Sequence, residues 1–305
     1  MARIPALKTR LSGQSGSSAL IALTILVILL VLAAGCTGTT SQKESWSVDG
    51  NGVLSLTVPA PSATETVLSA NDSVTLSKVV FHTELADVVT YVAAPENPKA
   101  AIIFVPGAGE NGPSHFPRLI EYAKNGYAFM YQDVRGNGAE TPGTALNFQA
   151  DYSRYTSGTM PQYYRIVGDV MQSREYLADK YHVPVYALGS SNGGRYALIA
   201  AALDPGFSGY FGVSTSGFGV AEDSRLTGDQ KKFLLSIDPD TYVAGISPRP
   251  VLIFHAPNDP IINYTEGQTL YGYAKDPKQF FSFNGTHGLN SEVDQDILTY
   301  LAGRS

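Results

Sequence analysis

The chain has 305 residues, 16% of them charged, with a formal net charge of −6. A weakly acidic chain offers no basic face, which argues against nucleic acid as a partner. Cys36 is the single cysteine, so the folded part is expected to have no disulfide, no thiolate metal cluster and no cysteine nucleophile.

Residues 1–36 read as an export segment. Arg3, Lys8 and Arg10 precede an apolar run from Ala19 to Ala34, interrupted only by Thr24. That run falls short of the roughly 20 residues that span a bilayer comfortably, which favours a signal-peptide core over a permanent helix. Its end, Leu32-Ala33-Ala34-Gly35-Cys36, resembles the lipobox of prokaryotic lipoproteins. The resemblance implies cleavage before Cys36, lipidation of its thiol and an extracytoplasmic, membrane-attached protein. A retained N-terminal helix is the alternative anchor. Residues 37–70 are expected to be a polar tether and N-terminal extension with one strand at Val53–Val58, and residues 71–305 a catalytic domain.

Ser73–His82 and Asp87–Val92 alternate apolar and polar residues and predict an antiparallel strand pair. From Ala100 the texture changes. Short apolar runs at 101–105, 127–131, 185–188, 210–213, 251–254 and 280–283 predict strands. Helices are predicted between and after them at 115–124, 162–181, 193–203, 264–275 and 289–302. In the second helix Ile166, Val167, Val170, Met171 and Leu177 share one face. This alternation predicts an α/β fold with a mostly parallel sheet covered on both sides. Residues 217–247 break it with a charged helical piece, Gly228–Ile237, and read as an insertion. The 18 tyrosines read as amphipathic surface residues rather than as a sugar-stacking groove.

Three segments carry chemistry. Val185–Leu188 followed by Gly189-Ser190-Ser191-Asn192-Gly193 is strand, tight turn and helix, the setting of a nucleophile elbow with small residues two before and two after Ser191. Ser190 is flanked by Leu188 and Asn192, which are the wrong size. Asp259 follows the strand 251–254, where a carboxylate faces the crevice at the strand ends. His287 lies in the loop Gly285-Thr286-His287-Gly288, placed to reach back over the sheet. Ser191, Asp259 and His287 thus supply nucleophile, acid and base in the chain order Ser…Asp…His. The N–H of Asn192 is one oxyanion donor. Of the other histidines, His82, His182 and His255 read as structural, and His115 as a residue of the pocket wall. Glu222 and Asp223 are reserve acids. Asp133-Val-Arg135-Gly-Asn-Gly138 reads as a loop braced by an Asp133–Arg135 contact. No metal-ligand cluster and no phosphate-binding glycine loop occurs, so no metal or cofactor is expected.

Through these motifs, residues 79–301 resemble the α/β-hydrolase superfamily, especially its compact dienelactone-hydrolase and prolyl-oligopeptidase-like members. The resemblance implies an α/β-hydrolase fold with an eight-stranded, mostly parallel sheet and a Ser191–His287–Asp259 triad. Pro106-Gly107-Ala108-Gly109 occupies the place of the usual His-Gly-x-Gly, which makes the Ala108 N–H the second oxyanion donor. The lid of that family corresponds to about 217–247 and is short, implying an open site. The expected activity is serine hydrolysis of a small-molecule carboxylic ester through an acyl-enzyme. A small-peptide peptidase, a thioesterase and a non-catalytic surface binding protein are the alternatives. The sequence does not fix the oligomeric state.

Overall fold

A run such as Ala101–Val105, apolar at every position, is stable only where both faces of its sheet are covered. In a computed structural model of the protein, which describes residues 43–304, this run is the central strand of a nine-stranded sheet. Cys36, the apolar run before it and the beginning of the tether lie outside the described residues.

The strands are β1 (Ser45–Val48), β2 (Leu54–Thr57), β3 (Ala63–Ala70), β4 (Thr75–Phe81), β5 (Val88–Ala94), β6 (Ala101–Val105), β7 (Ala128–Gln132), β8 (Val185–Ser190), β9 (Phe207–Val213), β10 (Val251–His255) and β11 (Lys278–Ser282). The α-helices are α1 (Gly112–Lys124), α2 (Phe148–Thr156), α3 (Gln162–Tyr181), α4 (Asn192–Leu203), α5 (Gly228–Ser236), α6 (Pro239–Tyr242), α7 (Tyr264–Tyr273) and α8 (Ser291–Ala302). β1 and β2 form a separate hairpin. The main sheet runs β11-β10-β9-β8-β6-β7-β5-β4-β3. Strands β11 to β7 are parallel, and β5, β4 and β3 continue the sheet antiparallel.

Nine strands rather than eight arise because β3 joins the sheet at Ala63, ahead of the expected boundary at 71. Every residue of β3 is exposed, so neither face left a hydrophobic alternation to read. Both faces of the sheet are covered. Leu119 and Tyr122 of α1 pack with Ile297 and Leu301 of α8 on one side. Val167 and Val170 of α3, Leu198 of α4 and Phe233 of α5 pack on the other. The tyrosines correct the surface reading: Tyr122, Tyr131, Tyr163, Tyr164 and Tyr210 are fully buried. Their rings supply core bulk, and a buried hydroxyl can still find an acceptor, as Tyr210 does at the Gly194 carbonyl (2.8 Å).

The chain leaves β6 for β7 on one side, then crosses back to β8 on the other. This reversal opens a crevice beyond the carboxyl ends of β6 and β8, where open α/β sheets place their sites.

Candidate active site

Ser191 sits between β8 and α4 with φ 55° and ψ −126°, a backbone state that costs a non-glycine residue on the order of 1–3 kcal/mol. The surroundings hold it there. Its N–H donates to Val213 O (2.9 Å), and its carbonyl accepts from Gly194 N (3.1 Å) and from Thr215 Oγ1 (2.8 Å). A Cβ on Gly193 would fall on the carbonyl oxygens of Val105 and Pro106, and one on Gly189 on the backbone of Gly193 and Gly194. Only glycine fits at either position, which is the physical content of the G-x-S-x-G spacing. Ser190 ends β8 and is buried.

Asp259 and His287 meet beyond β10. His287 Nδ1 lies 2.9 Å from both carboxylate oxygens of Asp259, whose side chain is fully buried. Burial alone would raise that carboxyl. The N–H groups of Ile261 (2.9 Å) and Ile262 (3.0 Å), with hydrogen bonds from His287 and Ser214, hold it below its ordinary value instead. Asp259 is thus kept as an anion against the imidazole. Ser191 and His287 line one cavity of about 380 Å³ together with Gly107, Ala108, Ile261 and Leu289.

The loop after β6 closes the other side. Glu110 Oε1 accepts from Gly107 N (2.8 Å), so that N–H is already engaged. Asn137 donates to Gly107 O (2.8 Å) and accepts from Gly109 N (3.0 Å), bracketing Ala108 from both sides. Among the described residues the N–H of Ala108 has no acceptor, nor does that of Asn192 at the first turn of α4, where helix N–H groups have no partner within the helix. Both are therefore open to a ligand oxygen.

Several residues stand differently from expectation. His115 is buried behind the pocket wall rather than in it: its Nε2 pairs with Glu110 (2.7 Å) and its ring stacks on Tyr131. Burial would raise Glu110, but the hydrogen bond and charge of His115, the Gly107 N–H and Arg118 hold it low. Arg135 does not contact Asp133; it forms a bidentate pair with Asp169 (2.6 and 3.0 Å). Asp133 accepts instead from the N–H groups of Glu140 (2.8 Å) and Thr141 (2.7 Å), because the chain turns there. Of the reserve acids, Glu222 takes the hydroxyl of Tyr273, and half-buried Asp223 pairs with Arg225. His255 is fully buried, its Nε2 2.9 Å from Ile262 O. His182 caps α3 in the left-handed region, and His82 bonds Thr64 and Asp87 at the surface.

Sequence reasoning missed Asn137, Glu110 and Ser214. Ser214 is fully buried with φ 47°; its Oγ accepts from Gly288 N (3.1 Å) beside His287 and hydrogen-bonds Asp259. Asn137 and Ser214 act across long sequence separations, whereas Glu110 acts on Gly107 three residues back; only the glycines around Asn137 hinted at a special loop. Among the described residues no group of three or more His, Cys, Asp or Glu side chains is placed to hold a metal ion.

No protein-family model matches the chain. It is 31% identical over 216 residues to the uncharacterized protein YfhR of Salmonella typhi, covering 65% of this chain and 68% of that protein. The YfhR protein of Salmonella typhimurium is 30% identical over 216 residues, again with 65% and 68% coverage. Among solved structures, an acetyl xylan esterase from Paenibacillus sp. R4 superposes with a TM-score of 0.66 at 16% identity, over 79% of this chain and 88% of its own. A cold-adapted esterase from an Arctic intertidal metagenomic library gives 0.58 at 16% identity, over 77% of this chain and 96% of its own. Together with the sheet order, these likenesses show an α/β-hydrolase fold.

Proposed function

This chain belongs to the family of the YfhR proteins, and from that membership and the site geometry we propose that it is a serine hydrolase of carboxylic esters. The observation that carries the reading is His287 Nδ1 held at 2.9 Å by the buried Asp259 while the imidazole shares a cavity with Ser191 on its strained turn. That these structural neighbours are esterases lends support at the level of reaction class. Within the superfamily, the short segment after β9 suits compact members of the dienelactone-hydrolase and prolyl-oligopeptidase-like type.

In this reading His287 Nε2 takes the Ser191 hydroxyl proton as Oγ attacks the ester carbonyl. Asp259 fixes the tautomer through Nδ1 and stabilises the imidazolium. The N–H groups of Ala108 and Asn192 receive the oxyanion. The tetrahedral adduct collapses, His287 returns the proton to the leaving alcohol, and a water activated by the same imidazole releases the acid. The exposed apolar side chains Leu146, Phe148 and Ile261 rim the cavities beside the serine and suit an organic acyl or alcohol group. The reading includes attachment outside the cytoplasm through Cys36, supported by the sequence Leu32–Cys36.

The test is hydrolysis of p-nitrophenyl esters of increasing acyl length beside an aminoacyl p-nitroanilide, with Ser191→Ala as control. Ester turnover abolished by Ser191→Ala is the expected result. Amide cleavage as fast as ester cleavage would replace the reading with a peptidase. A wild type that neither turns over esters nor reacts with a fluorophosphonate at Ser191 would replace it with a binding protein. Mass spectrometry of the mature N-terminus checks lipid on Cys36.

A further inference from the structure

Arg195 lies on α4, four residues beyond Ser191, and among the described residues its guanidinium forms no ion pair with a carboxylate. It is nonetheless held in place. Nε donates to Ser216 O (3.0 Å), one terminal nitrogen to Ser216 Oγ (3.0 Å), and the other reaches Asn192 Oδ1 at 3.5 Å. The Phe218 ring lies 4.3 Å from its central carbon, and Phe148 packs edge-on against Phe218. A guanidinium has five N–H donors, so about two remain for a ligand, already oriented by the stack.

A cavity of about 460 Å³ runs from the loop Gly107–Gly109 past Asn192 to Arg195, with Leu146 and Phe148 in its wall. Among the described residues two guanidinium groups and no carboxylate line it. Arg135 is neutralised by Asp169, which leaves Arg195 as the charge a ligand would meet. Arg195 also borders a second cavity, of about 410 Å³, but there Asp240 and Glu266 would repel an anion. An anionic group therefore reaches Arg195 from the oxyanion side.

The chemistry assigns that side to the acyl group. His287 must hand a proton to the leaving alcohol, so the alcohol belongs beside His287, Ile261 and Leu289. The acyl chain then extends the other way, along Asn192. We propose that Arg195 is a carboxylate-recognising subsite and that the substrates are half-esters of short dicarboxylic acids, held by the free carboxylate. The inference rests on the ester-hydrolase reading above.

The experiment compares monoethyl succinate, glutarate and adipate with ethyl butanoate, pentanoate and hexanoate, following released ethanol. For at least one chain length the half-ester should exceed its neutral counterpart in kcat/KM by about tenfold, the scale of one charge-assisted contact. Arg195→Gln should collapse that ratio, chiefly through KM of the half-ester, and Arg195→Lys should retain part of it. A ratio of one or less at every length, or one unchanged in Arg195→Gln, overturns the subsite. Calorimetric binding of monoethyl glutarate to Ser191→Ala separates the two readings. Binding that Arg195→Gln removes, in a protein whose wild type turns over no ester, keeps the subsite and sinks the esterase; neither binding nor turnover overturns both.

Discussion

In the loop after β10, Asp259 accepts N–H bonds from Ile261 and Ile262 and a bond from His287, whereas in the segment after β9 Asp240 accepts one N–H, from Gly219 (3.1 Å). Among the described residues Asp240 Oδ1 has no hydrogen-bond partner. Burial pushes both carboxyls up. Around Asp259 the donors outweigh it and the carboxyl stays below its ordinary value. For Asp240, burial and the neighbouring charge of Asp238 win, and it is raised to about 6. The balance of hydrogen-bond donors against burial and neighbouring charge decides whether a buried carboxylate stays ionised. Asp259 contributes stability present above its unfolded value near 3.8 and lost as pH falls through the lowered folded one. Asp240 contributes stability present below 3.8 and lost as pH rises through about 6.

The contrast can be broken most directly at Asp259. Asp259→Asn should lower kcat on esters by about 10³–10⁴-fold with the far-UV circular dichroism unchanged; a loss under tenfold would mean that the ionised acid is not what the loop is built for. Asn137→Ala should lower kcat on the order of tenfold with KM little moved, because it frees the loop around Ala108 rather than a substrate contact. An effect confined to KM would reassign Asn137 to binding. Ser214→Ala, which takes one donor from Asp259, should cost roughly 3- to 10-fold in kcat. It should also move the acid-side loss of stability to higher pH, read by thermal melts between pH 3 and 5. The smallest effect is at the other carboxylate. Asp240→Asn should raise Tm at pH 7.5 by about 1–3 °C and lose that advantage at pH 4. A lower Tm at pH 7.5 would show that its charge is wanted.

The parallel core was legible because each strand announced itself as an apolar run and each long helix as a single apolar face. Val185–Leu188 and residues 162–181 lie inside or on the observed β8 and α3. Ser191, Asp259 and His287 were legible for a related reason: each follows a readable strand within a few residues, so its place at the sheet edge follows from local sequence. β3 and α2 were not. β3 is exposed throughout, and α2 buries only Asp151, whose carboxylate accepts from the N–H groups of Gln162 and Tyr163 at the start of α3. A helix held by a buried polar side chain has no hydrophobic period to find. The braces Asn137 and Ser214 were hidden because hydrogen bonds across the fold leave no spacing rule in the chain. Arg135 taught the same lesson, since its partner Asp169 is 34 residues away rather than two.

The turn at Ser191 has a bearing on when activity can arise during folding. Its backbone is secured by Val213 and Thr215, which come after it in the chain, and His287 meets Asp259 only once β10 and the loop after β11 are in register. A partly assembled chain lacks both the strained serine and the oriented imidazole. Closing contacts of such large sequence separation is slow and comes late. Recovery of ester turnover during refolding should therefore lag the recovery of helical signal, making the serine a reporter of the last strand to dock.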